Sequence, residues 1–477
     1  MTRRPAHPGH HRRRPRGMVL IVAMIVSFAL AGIVLVLCRT MRVESAASAN
    51  LAAAAQASAV ARGAEQYVVA LISQEGEDVR DLAEENFAGV RVGEGMFWIM
   101  RPDYDDEQLP LFGLIEEASK LNVGNDEAGL YDKLLRLPGM TDVAASSILD
   151  WIDADQNVER DGAEMEFYLN HPSKCEPYYP KNGPMETVEE MLMVRGVDRV
   201  MLYGDGTAPP LGQRAGIRAA SSTGGGAMVD RQLARGIFEL VTVYSRETNT
   251  GGDTGRINIS NLSRLQTREA LKARLRQRLP EQQADQIMSD LGTTAINDIF
   301  QVYVRAKAHL KPGDFDLFVD DITTSGNRTL NGRINVNTAP PAVLMCLNGL
   351  EEGEVDKLLA RRQPLGTPIG TPRKIEWVAD ALTPERAAAA RLGAQLATRV
   401  NQWSADILAV SGNGRAFKRV RIVVDNRSGT PEIKYRRDLT NRGWPMDKSI
   451  LARLRSGEMS SQPSQGSMAS SQQQGRF

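Results

Sequence analysis

The first seventeen residues hold six arginines, three histidines (His7, His10, His11) and no acid, and they run directly into twenty-one apolar residues, Met18 to Cys38. At about 1.5 Å per residue the apolar run is roughly 30 Å long as a helix, the thickness of a bilayer's hydrocarbon core. Arginine resists transfer across a membrane, so the leader is expected to stay cytoplasmic and the chain after Cys38 to emerge on the far side.

Three readings fit such a start. A cleaved secretory signal has a shorter apolar core followed by small residues, and Ala47-Ser48-Ala49 offers such a site. A plain signal anchor is the second. The third is a prepilin-type signal cut on the cytoplasmic side between Gly17 and Met18, which removes the leader and keeps the helix. The residues beyond the apolar run favour the third. From Arg39 to about Ser73 the sequence is Ala-rich, has no proline and holds one glycine, Gly63. Such helix formers predict a single stem of about 55 residues ending near Gly76.

At 477 residues the chain is long enough for two or three cored domains. Acids and bases balance at 58 each, and loss of the leader leaves 52 basic against 58 acidic residues. That acidic balance argues against a nucleic-acid scaffold. Beyond the leader only His171 and His309 remain, and no Ser-His-Asp set, HExxH, CxxC or P-loop pattern is present. The chemistry of an enzyme is not written in these residues. Of three cysteines, Cys38 lies in the apolar segment, while Cys175 and Cys346 can pair only if they are neighbours in an oxidising compartment.

Along the chain, Gly95–Met100 reads as a strand, 111–203 as mainly helical, and 204–230 as a Gly/Ser-rich linker. Ile237–Tyr244 reads as a strand, 261–310 as helix, Phe315–Ile322 as strand-like, and 338–400 as helix. Ala405–Val410, Phe417–Val424 and Glu432–Arg436 form an expected closing antiparallel meander. The Ser/Gln-rich tail from Ser456 is expected to be disordered.

A weak repeat runs through the helical parts: Leu121-Asn122-Val123, Ile257-Asn258-Ile259 and Ile334-Asn335-Val336. Leu137-Pro138-Gly139-Met140, Val194-Arg195-Gly196-Val197 and Leu347-Asn348-Gly349-Leu350 read as helix-hairpin-helix turns with glycine at the bend. Such turns can bind nucleic-acid phosphates through exposed N–H groups. Here Thr141-Asp142 and Glu351-Glu352 flank them, and acids repel phosphate, so close helix packing is the favoured reading.

The densest chemistry lies between Asp150 and Glu164. Oxygen-bearing side chains fall at Asp153, Asp155, Asn157, Glu159, Asp161 and Glu164, positions 1, 3, 5, 7, 9 and 12 of an EF-hand-like loop. Val158 stands where an EF-hand places its turn-forming glycine, so the path must differ. Crowded hard oxygens suit calcium, and a solvated acidic loop is the alternative.

With leader, stem and loop together, the chain resembles the K-type minor pseudopilins of the type II (general) secretion pathway. The matching residues are Arg16-Gly17-Met18 with its apolar helix, Asp150-Trp151-Ile152-Asp153-Ala154-Asp155, Met191 to Val197, and Ile334-Asn335-Val336-Asn337-Thr338-Ala339-Pro340. Most prepilin-type proteins carry Glu at the fifth mature position. This chain has Val22 there, a departure typical of the K-type subunit.

The resemblance implies an α+β, pilin-like fold: a long N-terminal helix on an antiparallel sheet, with a large inserted all-α domain of helix-hairpin-helix, SAM-like character. The divisions expected are a leader (1–17), a transmembrane and stem helix (18–75), and the first part of the sheet (76–110). A helical domain with the calcium loop (111–203), the linker (204–230), a strand-plus-helix region (231–330) and a second helix-hairpin-helix region (331–400) come next. C-terminal strands (401–440) and the tail (456–477) complete it.

The implied role is to initiate or cap the pseudopilus tip from the inner membrane, with the globular part in the periplasm. Implied partners are the I- and J-type minor pseudopilins, the major pseudopilin, the inner-membrane secretion platform and the prepilin peptidase, which would cut and methylate at Gly17-Met18. The alternative is a membrane-anchored helix-hairpin-helix protein that binds DNA in an uptake machinery. The chain is longer than the family suggests, with the excess in 204–330 and the tail.

Overall fold

The computed structural model describes residues 16–102, 111–125, 129–170, 176–204, 235–249, 255–363, 374–456 and 458. The leader before Arg16, most of the 204–230 linker, Cys175 and nearly all of the tail lie outside the described residues.

Helix α1 (Arg16–Glu75) is one continuous helix of 60 residues. Nothing inside it breaks it, and it stops at Gly76, whose φ of +59° ends the helical path. Side chains from Met18 to Ala52 are almost all exposed. From Ala53 one stripe turns inward: Ala53, Ala57, Val60, Ala61, Ala64, Val68 and Ile72, spaced three and four apart. The alanines let the helix approach its sheet closely. Gly95 marks the tightest point, where a Cβ would lie 2.5 Å from Val60 Cγ2 and 2.7 Å from the Val410 carbonyl oxygen.

The sheet is antiparallel, in the order β1 (Val90–Val92), β2 (Gly95–Arg101), β11 (Gln402–Val410), β12 (Phe417–Asp425), β13 (Glu432–Asp438). Short strands β3 (Leu111–Phe112) and β4 (Ile115–Glu116) pair with β2 and β11. One face packs Phe97, Ile99, Trp403, Ile407 and Ile422 on the stem. The other packs Met96, Trp98 and Leu408 beneath Met446 and Leu454, the latter from a C-terminal helix over Lys448–Ser456. Burial on both faces explains why β11 is buried along its whole length. The expected meander is present, and the α+β architecture is the one read from the sequence.

Most of the described residues between β4 and β11 form an insertion with its own core. The three asparagine motifs organise it. Asn122, Asn258 and Asn335 each accept a hydrogen bond through Oδ1 from the backbone N–H two residues on, at 2.9, 3.0 and 3.0 Å. Each motif also pairs in parallel with a distant segment. β5 (Leu121–Asn122) joins β6 (Val241–Thr242), β8 (Ile257–Asn258) joins β9 (Ile322–Thr323), and Ile334 bridges Leu396. An antiparallel pair, β7 (Arg246–Thr248) with β10 (Thr329–Asn331), lies between them. The third motif also docks the insertion on the sheet: Asn335 Nδ2 and Thr338 Oγ1 both donate to the buried Glu116 carboxylate.

Two expected strands differ. Phe315–Ile322 is a helical turn over Asp314–Phe318 and a 3-10 turn, reaching strand only at Ile322. The cause is distant in sequence: the Glu376 carboxylate accepts from the N–H groups of Gly313 (2.8 Å) and Phe315 (3.0 Å), capping that helix. Ile237–Tyr244 narrows to Val241–Thr242, because Leu240 N–H turns back to the Ile237 carbonyl. The 111–203 region is also less helical than expected at its start, where β3, β4 and β5 lie.

Candidate metal centre

The acidic stretch begins on helix α3 (Asp142–Ile152), which pairs with the short helix α2 (Leu130–Leu134) before it. Thr141 starts α3, its Oγ1 accepting from Ala144 N–H. The apolar positions Ala144, Ala145, Ile148, Trp151 and Ile152 bury one flank of α3, and this fixes the helix's rotation. Asp150 lies on the opposite flank, roughly 100° per residue being the helical step, and is fully buried there beneath the 159–162 turn. Trp151 packs edge-on against Tyr168 and Tyr178 and forms the apolar floor beside it.

The loop after Ile152 does not follow an EF-hand. Its left-handed residue is Arg160 (φ +51°), with the guanidinium 3.7 Å over the Tyr131 ring. Glu159 N–H donates to Asp150 Oδ1 (3.1 Å), and Gly162 N–H donates to the Glu159 carbonyl (2.9 Å). Gly162 lies so close to Asp150 that a Cβ there would sit 2.0 Å from Oδ2. The glycine absent at position 158 thus has its counterpart at 162, where it makes room for a carboxylate.

Carboxylate oxygens of Asp150, Asp153 and Glu164 lie within 4.8 Å of one another. Two of the six residues predicted from spacing, Asp153 and Glu164, are in that group. Asp155, Asn157, Glu159 and Asp161 are exposed. Asp155 Oδ1 accepts from Asn157 N–H (2.8 Å), an Asx turn that shapes the loop. Asp150 joins the group although it precedes the twelve-residue loop; its spacing of three from Asp153 at a helix end was the available signal. Asn182 also belongs here, with Nδ2 donating to the Asp155 carbonyl and to Glu164 Oε2 (3.4 Å). No local pattern in the sequence points to Asn182.

Three acceptor oxygens at this spot, Asp150 Oδ2, Glu164 Oε1 and Asn182 Oδ1, are buried without a hydrogen-bond donor. Burial pushes the Asp150 carboxyl up to about 6, with the Asp153 and Glu159 charges adding to it. Burial pushes Glu164 up to about 7, with Asp150 and then Asp153 as the next causes. Buried acids facing one another with spare oxygens are the chemistry that a hard cation relieves.

At the three predicted bends Gly139, Gly196 and Gly349 have φ of +74°, +81° and +83°. Their second helices start on the chain's own side chains. Thr141 Oγ1 accepts from Ala144 N–H, Asp198 Oδ1 from Met201 N–H (2.7 Å), and Glu354 reaches back to Glu351 N–H (3.0 Å). Arg136 ties the first hairpin to the last by donating to the carbonyls of Met345 (3.0 Å) and Leu347 (2.9 Å). One backbone N–H at each of these three starts is thus satisfied by a side chain of the protein itself. Cys346 is a buried free thiol, and its Sγ donates to the Ala342 carbonyl.

Among the described residues α1 is the one helix long and apolar enough to cross a membrane. With Gly17 and Met18 in its first turn, it fits a single-pass anchor.

Residues 113–203, the helical region that carries the acidic centre, match the family model described as type II secretion system protein K. By that match, and by the order of its leader, loop and asparagine motifs, the chain is similar to the minor pseudopilins of type II secretion. The crystal structure of the GspK-GspI-GspJ complex from the enterotoxigenic Escherichia coli type 2 secretion system aligns at 14% identity and a TM-score of 0.37, over 83% of this chain and 99% of that one. No curated protein matches the chain.

Proposed function

We propose that this chain is the tip subunit of a type II secretion pseudopilus, anchored in the inner membrane with its globular part in the periplasm. The observation that carries the reading is the division of α1: an exposed apolar half, free to pack in a membrane or among other stems, and a half built into the sheet. In this reading the prepilin peptidase cuts between Gly17 and Met18 and methylates the new terminus. The stem then packs with the I- and J-type minor pseudopilins, on top of the major pseudopilin and the inner-membrane platform. Val22 leaves the stem without the carboxylate that would neutralise a subunit above, and the bulky insertion obstructs addition there, both suited to a tip. Calcium is the proposed ion of the acidic centre. Asp150, Asp153 and Glu164 would hold it with Asn182, and its charge would relieve the repulsion among them.

Intact-mass measurement of the protein expressed with and without a prepilin peptidase tests the first step. A mature chain beginning at Met18 and carrying one extra methyl is expected. A chain beginning at Met1, or cut beyond residue 45, overturns the pilin reading. Co-purification with the I- and J-type subunits tests the second.

A further inference from the structure

The acidic centre is tied to the far edge of the sheet by an unbroken set of contacts, and Arg195 stands at its start. The guanidinium of Arg195 donates to the carbonyls of Gly162 (2.9 Å) and Asp161 (3.4 Å), the closing turn of the acidic loop, and lies 4.7 Å over the Phe167 ring. It grips the loop from behind through backbone oxygens, and those bonds leave the acidic side chains available to a cation. The Arg195 backbone N–H donates to the Tyr168 hydroxyl (3.3 Å), and the Tyr178 hydroxyl donates to the Met193 carbonyl (2.5 Å). Both tyrosines pack on Trp151 beneath Asp150.

Arg195 and Gly196 form the bend of the hairpin that joins the 3-10 turn Val188–Met193 to the helix Arg199–Tyr203. A Cβ on Gly196 would lie 3.0 Å from Ala144 N at the start of α3, so this bend is seated against the helix that carries Asp150. Both arms of the hairpin end on β13. Glu189 accepts from the Tyr435 hydroxyl (2.8 Å) and pairs with Arg437, and Arg437 Nη1 donates to the Tyr203 hydroxyl (3.2 Å). β13 is an edge strand that pairs only with β12 among the described strands, so beyond that ladder its outer side relies on side-chain contacts such as these and the Arg436–Glu65 pair.

We propose that Arg195 is the positioning residue that couples the acidic centre to β13, so that cation binding locks the helical insertion onto the edge of the pilin-like sheet. The inference rests on the calcium reading of the centre. A cation held by Asp150, Asp153 and Glu164 fixes the 159–164 turn. Arg195 transmits that order to the hairpin, and Glu189 and Tyr203 deliver it to the strand. Coupling of this kind is reciprocal: whatever loosens β13 weakens the cation, by the same factor.

Hydrogen exchange read by mass spectrometry, on the detergent-solubilised full chain with calcium chloride or with magnesium chloride, tests it. In the wild type, calcium slows exchange at 159–164, 188–203 and 432–438. In Arg195→Met, calcium binds about tenfold more weakly, as loss of an outer-shell partner commonly produces. At saturating calcium that variant still slows 159–164 and no longer slows 432–438. Arg195→Lys, which keeps the charge without the fork or the flat stacking face, restores part of the affinity. Glu189→Gln keeps the slowing at 159–164 and loses it at β13. Slowing at 432–438 that persists in Arg195→Met, or wild-type slowing confined to the loop, overturns the coupling while leaving calcium binding standing. A wild type with no calcium response anywhere overturns the calcium reading and the coupling with it.

Discussion

Gly162→Ala is the sharpest perturbation of the acidic centre, because it adds one methyl group at a place with no room. The new Cβ would lie 2.0 Å from Asp150 Oδ2, 2.7 Å from its Cγ and 2.9 Å from the Glu159 carbonyl oxygen. A non-bonded carbon and oxygen sit best at roughly 3.5 Å, so something must move. Asp150 cannot turn outward, since it is fully buried on α3 and its other oxygen holds Glu159 N–H. Forcing a methyl into a packed site costs about 1–3 kcal/mol. Breaking a hydrogen bond to a charged group adds about 1.5 kcal/mol or more. The loss is therefore about 3 kcal/mol, and a displaced Asp150 also weakens calcium by tenfold for every ~1.4 kcal/mol of ligand energy forfeited. The assay is a thermal melt of the detergent-solubilised chain with and without calcium, beside a calorimetric titration. Gly183→Ala is the internal control: it lies on the adjoining turn, yet its Cβ meets nothing nearer than 3.8 Å. Melting and calcium affinity of Gly162→Ala equal to those of Gly183→Ala would refute the reasoning.

Other consequences can be measured on the same material. The stabilisation given by calcium should be larger at pH 8 than at pH 5.5. Asp150 and Glu164, raised to about 6 and about 7, contribute stability to the metal-free fold that is complete below their unfolded values near 4 and is lost as pH rises through 6 and 7. Calcium offsets that loss, and an equal increment at both pH values would contradict this. Glu116→Ala removes the shared acceptor of Asn335 and Thr338 at the joint between insertion and sheet, and should cost about 2–3 kcal/mol in thermal or denaturant unfolding, with Glu116→Gln costing less. Ala57→Leu places a large side chain where the stem meets the sheet with no free space, and should cost about 1–3 kcal/mol. Limited proteolysis near the start of the docked stem would report it, and wild-type resistance would count against the close docking.

How much of this was legible in the sequence depended on whether the governing contact is local. The stem, the hairpin glycines and the closing meander were legible because helix propensity, a left-handed bend and strand alternation act over a few residues. The asparagine motifs were visible as a repeat, but their parallel partners, up to 120 positions away at Leu121 and Val241, were not. Phe315–Ile322 departs from its strand-like reading for a related reason: its apolar run suits a strand, and the distant carboxylate of Glu376 caps the helical turn that forms instead. At the acidic loop the spacing found Asp153 and Glu164, while the 159–162 turn folded over α3 enclosed Asp150 and the 181–183 turn supplied Asn182.

By itself the sequence determined the membrane-length helix, the stem that continues it, the sheet-forming segments and the place of the acidic loop, because each is written in the order of neighbouring residues. The tertiary structure decided which carboxylates meet, which carbonyls Arg195 holds and how the insertion seats on the sheet. Those outcomes depend on which buried faces pack together, and burial is set by the whole chain: the 159–162 turn folds back over α3 and buries Asp150, while Asp155, Asn157, Glu159 and Asp161 stay in water.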